Sequence, residues 1–396
     1  MGLERLNGFY LVLLLELVLP GLVLVAGPIF GRWRPAAVAA PAPAVPAQPG
    51  TIPARTFLRT VLGLLWLLDA LLQAQPRMPG GFPTLVLAPV AHGTPRWWAA
   101  FVRWEMGIWQ THPVHLAAAT VLIQAGIGIA ILCGGDGRLG RSGLWASLAW
   151  GLMVWVGGEA LGGLLAPGAS LLAGSPGSAL AYVGAAGLLL APVELWRSGR
   201  ARRLIEVGLG AAFLFGAVLQ TIPGEGFWSA AGLRGLFAAM AAPPQPSALA
   251  EPIHALAGQV AADPFLWNTA IIATMVALGV AHLLGGRGRF LTIATMAWLA
   301  FAWWFGQGFG TPATGVATDP NLAPVLAVLL LVAEFPTRWE VAWQRRLPLA
   351  AGHGWARRLA LAGAVALLVG LVGSVPYAAQ AALGSSPAAP VSASVN

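Results

Sequence analysis

The chain has 396 residues, 58% of them hydrophobic and 9% charged, with a net charge of +8. A water-soluble globular chain carries about 25% charged residues. This one lacks the polar surface to face water on all sides, which excludes a soluble enzyme, a nucleic-acid-binding protein and a disordered chain, and makes it a polytopic membrane protein whose first partner is the lipid bilayer.

The first apolar run, residues 8–30, exceeds the roughly 7–15 residues of a signal-peptide core. It reads as a retained helix within an N-terminal unit 1–31, with Glu16 as its one charge. Residues 32–56 are rich in Ala and Pro and form an extended cytoplasmic linker. Further apolar segments follow at 57–75, 114–133, 143–166, 178–196, 204–222, 265–284, 289–311, 322–336 and 357–378. A basic link, 337–356, precedes the last of these, and a flexible tail, 379–396, follows it. Several approach the ~20 residues that cross a ~30 Å hydrocarbon core. Only a helix satisfies its own backbone there, and no strand-like alternation appears. The expectation is an all-α membrane bundle of about ten transmembrane helices.

All 22 basic residues are arginine. Threading the ten segments places 17 of them on one side and 5 on the other. The richer side is cytoplasmic, so both termini are expected outside, in a multi-pass protein of the cell membrane. An arginine-rich face also suits anionic headgroups. The lone Cys133 excludes an intrachain disulfide or dithiol relay and reads as a small buried hydrophobe.

The chain repeats itself. Trp150, Trp155, Gly158, Glu159 and Gly162 recur 148 residues later as Trp298, Trp303, Gly306, Gln307 and Gly310. Leu72, Gln73 and Pro76 recur 147 residues later as Leu219, Gln220 and Pro223, and His112-Pro113 falls opposite Asp263-Pro264. Two four-helix repeats, 57–196 and 204–336, are therefore expected. An even helix count makes them parallel, related by an axis along the membrane normal. In each, a long link between the first two helices (76–113 and 223–264) carries Trp and Arg among apolar residues, as amphipathic helices at a headgroup boundary do.

The segments LLWLLDALLQAQPRM, THPVH, WVGGEALGG, GSPG, WFGQGFG and ATDPN resemble a group of uncharacterised bacterial polytopic membrane proteins. The four-helix unit with its outer amphipathic link is similar to the DoxX/DoxD-like superfamily, over roughly 57–336 as two copies. The resemblance implies a module associated with quinone-linked redox chemistry of sulfur compounds and a redox partner protein. It transfers no catalytic residue.

Asp69 falls near the middle of its helix, where a carboxylate must be paired or protonated and must face the bundle. It is either a proton or ligand site or a hydrogen-bonded tether, and the second copy has Gly216 there. Glu159 and Gln307 occupy matching glycine-flanked positions and could line a cavity or anchor a tight helix contact. Gln73 and Gln220 could join that cavity or be solvated at the interface. His112 and His115 have the i, i+3 spacing of one helical face, with Glu105 upstream and His92 in the preceding link. They could contact a quinone, haem or metal, or mark a helix start. His254, His282 and His353 are isolated, and Glu194 and Glu334 sit at helix ends. No phosphate-cradling Gly-Lys loop, HExxH, GxSxG or cysteine ligand set is present. Two function classes stay open: a quinone- or haem-linked redox subunit with an outward-facing cavity, and a non-catalytic channel, carrier or assembly protein.

Overall fold

The computed structural model describes residues 53–286 and 288–334, together with Leu13. The helices expected at 8–30 and 357–378, most of the 32–56 linker, the 337–356 link and the 379–396 tail lie outside these residues. Among the described residues every regular element is helical. The first set is α1 (Pro53–Gln73), α2 (Met78–Ala91, with a π-helical stretch Phe82–Leu87), α3 (Arg96–Thr111), α4 (Pro113–Gly134), α5 (Arg138–Val156) and α6 (Ser178–Leu190). A short α7 (Val193–Arg197) leads into α8 (Arg200–Thr221), α9 (Ala230–Ala241), α10 (Ser247–Ala262) and α11 (Pro264–Leu283). Next come α12 (Arg289–Phe301), extended by a π-turn Ala302–Gly306, and α13 (Leu322–Ala333).

Helices α1, α4, α8 and α11 are long and apolar enough to cross a membrane. Other apolar runs outlast their helices. The run 143–166 leaves the helix at Gly157, whose ψ of −83° no longer continues it. The run 178–196 breaks at Ala191, held extended before Pro192. The run 289–311 changes to a π-turn after Phe301, and 322–336 ends at Ala333.

The helix order of 53–190 returns in 200–333. Helices α3 and α10 both stop at a residue turned off the helix, His112 (φ −137°, ψ 56°) and Asp263 (φ −143°, ψ 76°), and a proline starts the next helix. Proline suits that position because its missing N–H has no partner there in any helix. Asp263 caps α11 by accepting from the Leu266 amide at 3.0 Å, a bond that His112 does not provide for α4.

Glycines set the closest helix approaches. A methyl group on Gly128 of α4 would fall 2.7 Å from the Gly63 carbonyl oxygen of α1. One on Gly210 of α8 would fall 2.8 Å from that of Gly279 on α11. Small residues let backbones meet where lipid supplies no hydrophobic drive between helices.

At the end where α1, α5 and α8 begin, Arg55 and Arg59 both bond Asp136 in the turn after α4. Burial works against ionisation of Asp136, but the two guanidiniums prevail and hold its carboxyl below the usual range. Arg203 donates to the carbonyls of His282 and Leu283 at the same end.

At the opposite end, the α5–α6 loop (157–177) and the α12–α13 loop (307–321) each cross to the other helical set. Glu225, beyond α8, accepts from the amides of Gly168 (2.5 Å) and Ala169 (2.9 Å), and Ser170 donates to Gln220 (2.9 Å). Conversely Gln75 and Arg77, beyond α1, donate to the carbonyls of Pro312 (2.9 Å) and Thr314 (3.0 Å).

Adding a methyl at Gly128 or Gly210 should push a helix pair apart and cost about 1–3 kcal/mol. Thermal unfolding in detergent should show Gly128→Ala and Gly210→Ala both destabilised. Gly126→Ala, which meets nothing within 4 Å, should be as stable as the parent.

Candidate functional site

Helices α1, α3, α4, α5 and α6 of the first set surround a cavity of about 510 Å³. That is the size of a small-molecule site. Its wall from α1 carries Trp66, Asp69 and Gln73, spaced so that one helical face presents all three. Helix α4 adds Thr120 and Gln124, again one turn apart, α6 adds Ser178 and Tyr182, and α3 brings Trp104, Glu105 and Trp109. Trp150 comes from α5, Glu159 from the turn beyond it, and Thr318 and Asp319 from the far loop.

Asp69 is 2% exposed and accepts from the Tyr182 hydroxyl at 3.3 Å. Trp66 stands edge-on to Tyr182, ring centroids 5.0 Å apart, and donates its indole N–H to Ser147 at 2.8 Å. Glu159 turns one oxygen to the start of α6, accepting from Ser178 Oγ (2.5 Å) and the Ala179 amide (3.0 Å). That satisfies an amide which a helix N-terminus leaves without an internal partner. Five polar atoms in the wall have no protein partner: Gln73 Oε1, Gln124 Oε1, Glu105 Oε2, Glu159 Oε2 and Trp150 Nε1. Gln73 and Gln124 are only 5% and 3% exposed. A buried polar group left unpaired costs about 1–3 kcal/mol, so this concentration in one void needs a reason.

Gln307 repeats part of the Glu159 arrangement. Its Oε1 accepts from the Ala323 amide at the start of α13 (3.0 Å), and Nε2 donates to the Leu172 carbonyl (3.3 Å). Trp155 donates to the Pro176 carbonyl (2.7 Å), and Trp303 to that of Pro320 (2.9 Å). The surroundings of Gln307 are packed differently. Gly216, at the place of Asp69 on α8, lies against Leu171, whose Cβ is 2.5 Å from where a methyl on Gly216 would sit. The positions corresponding to Glu105, Thr120, Gln124 and Tyr182 are Leu256, Ile271, Met275 and Leu326, all apolar. Gln220 is fully buried: its Oε1 accepts from Ser170, and its Nε2 has no partner.

The sequence-predicted residues thus separate. Asp69, Gln73 and Glu159 meet in the cavity, together with Glu105, while Gln307 and Gln220 sit around the inserted loop 170–172. His112 and His115 are exposed, with ring centroids 6.4 Å apart, and neither lines the cavity. Pro113 starts α4 between them, so they do not share one helix. Among the described residues no group of three or more His, Cys, Asp or Glu is placed to hold a metal ion. Gln124, Tyr182 and Asp319 belong to the site without having been singled out. The sequence signal for Gln124 is a lone amide in an otherwise apolar helix, with Thr120 one turn before it.

Comparison of the chain with family models, with curated proteins and with solved structures gives no match.

Burial lifts the carboxyl of Glu105 from its ordinary range to about 7. The other ionisable groups around the cavity are Asp69, Glu159, Asp319 and Tyr182, and no arginine lines it. The folded state therefore holds the Glu105 proton more tightly than the unfolded chain does. Its contribution to stability is full below about pH 4.5 and falls as pH rises to about 7. The melting temperature in detergent should drop between about pH 5 and pH 8 less steeply for Glu105→Gln than for the parent; equal slopes would remove Glu105 from the buried set.

Proposed function

We propose that this is an integral membrane protein built from two parallel four-helix repeats within a ten-helix chain, and that only the first repeat retains a ligand site. The matched chain breaks before Pro113 and Pro264, the matched glycine contacts and the paired Trp155 and Trp303 bonds support the duplication. In this reading the arginine-rich end is cytoplasmic, both termini lie outside, and the cavity belongs to the outward half of the bundle. The resemblance to DoxX/DoxD-like modules accords with four spans and an amphipathic link.

The observation that carries the ligand reading is the set of unpaired buried polar atoms around a 510 Å³ void. Groups kept at a stability cost belong to function more often than to folding. We favour a ligand-binding or carrier role. A quinone-linked redox role is the second reading, supported by the unpaired Trp150 indole N–H, which suits a carbonyl oxygen.

The two glutamines test this. Gln124→Leu removes an unpaired acceptor and should leave the melting temperature unchanged or raise it. Gln307→Leu strands the Ala323 amide and the Leu172 carbonyl and should lower stability by about 1–3 kcal/mol. If Gln124→Leu destabilises as much as Gln307→Leu, Gln124 serves the fold and the cavity loses its claim to a ligand.

A further inference from the structure

We propose that the cavity binds an amphiphilic organic cation, an ammonium group on an aromatic or branched apolar body, admitted from the bilayer. The inference rests on the reading of the cavity as a ligand site and names the class of ligand.

Charge comes first. The whole chain has 14 acidic residues against 22 basic ones. Four of the acidic residues, Asp69, Glu105, Glu159 and Asp319, line this one cavity, and no arginine does. An anionic ligand would find no basic side chain to pair with in this low-dielectric pocket. A bound cation would stabilise the ionised form of these acids, which burial disfavours.

The walls agree. Trp66, Phe101, Trp104, Trp109 and Trp150 present aromatic surface to the void. Aromatic faces attract ammonium groups and pack apolar bodies equally well. The unpaired atoms point the same way. Gln73 Oε1, Gln124 Oε1, Glu105 Oε2 and Glu159 Oε2 all accept hydrogen bonds, and Trp150 Nε1 alone donates. An ammonium supplies up to three N–H donors, whereas a quinone carbonyl only accepts and leaves those four atoms as they are.

The route is lateral. Trp104 of α3 and Leu152 and Met153 of α5 line the cavity and are also exposed on the outside of the bundle. The opening therefore lies between two apolar helix flanks, where an amphiphile resident in lipid arrives. On its other side the cavity shares Glu159, Ser178 and Asp319 with a vestibule of about 810 Å³ between the two crossing loops.

Four probes of one shape make the test: naphthylethylammonium, naphthylethanol, naphthylacetate and the naphthoquinone menadione. Each is titrated calorimetrically into the purified full-length chain in neutral detergent near pH 8, where Glu105 is ionised. The ammonium should bind at least about tenfold more tightly than the alcohol, a difference of about 1.4 kcal/mol, and naphthylacetate should not bind. Glu105→Gln should shrink the preference, and Asp69→Asn with Glu105→Gln should abolish it while the alcohol still binds. Equal binding of ammonium and alcohol, or tightest binding of menadione, overturns the cation while leaving a ligand cavity. Binding of none of the four to a chain that melts cooperatively overturns the cavity reading itself. Phosphatidylethanolamine added to the micelles distinguishes the source: displacement of the ammonium probe assigns the natural group to a lipid headgroup, no displacement assigns it to a free amine, and both retain the cation.

Discussion

The carboxylate of Glu225, gripping the amides of Gly168 and Ala169, is the contact on which the rest of this architecture turns. Those amides lie in an irregular loop, and no helix of their own half pairs them. Backbone N–H groups among apolar helices need an acceptor, and the opposite half supplies it. Gln75 and Arg77 do the converse service for the second loop, through the carbonyls of Pro312 and Thr314. Each half therefore helps to hold the other's loop, alongside the bonds from its own half such as Trp155 to Pro176 and Trp303 to Pro320.

The exchange has unequal consequences. The first loop carries Leu171 and Leu172 into the second half, where Gly216 leaves room for one and Gln307 bonds the carbonyl of the other. The second loop carries Thr318 and Asp319 to the first half, where they join Asp69, Glu105 and Glu159 around open space. The Leu171 side chain fills the space beside Gly216, while Asp69, Glu105 and Glu159 line open space.

Much of this was legible before any coordinates. Helices long and apolar enough to cross a membrane were to be expected from so few charges, and four of the described helices are. Asp69 stood out because a lone carboxylate in an apolar helix must be sheltered, and it is. The Glu159 and Gln307 pairing was visible as two glycine-flanked polar residues at one spacing, and each does anchor the start of the helix that follows. What stayed hidden depends on contacts between distant segments. Tyr182 reads as a common aromatic in an apolar helix until Asp69 is placed against it, and Asp319 reads as a loop acid until its loop is seen to cross. Of the two readings of His112 and His115, a shared ligand face or a helix start, Pro113 does begin a helix between them. Apolar runs overstated helix lengths because hydropathy does not register where Gly157 or Pro192 turns the chain.

The central claim is the reciprocal crossing of the two loops, and disulfide trapping in the intact chain tests it most directly. With Cys133 replaced by serine, one variant pairs Gly81→Cys with Val316→Cys, where a methyl on Gly81 would meet Val316 Cγ1 at 2.6 Å. A second pairs Leu171→Cys with Gly216→Cys, across the other crossing. Both should form an intramolecular disulfide on mild oxidation in membranes, seen as a mobility shift that reductant reverses. Trapping in neither pair would contradict the crossing, and trapping in only one would contradict its reciprocity.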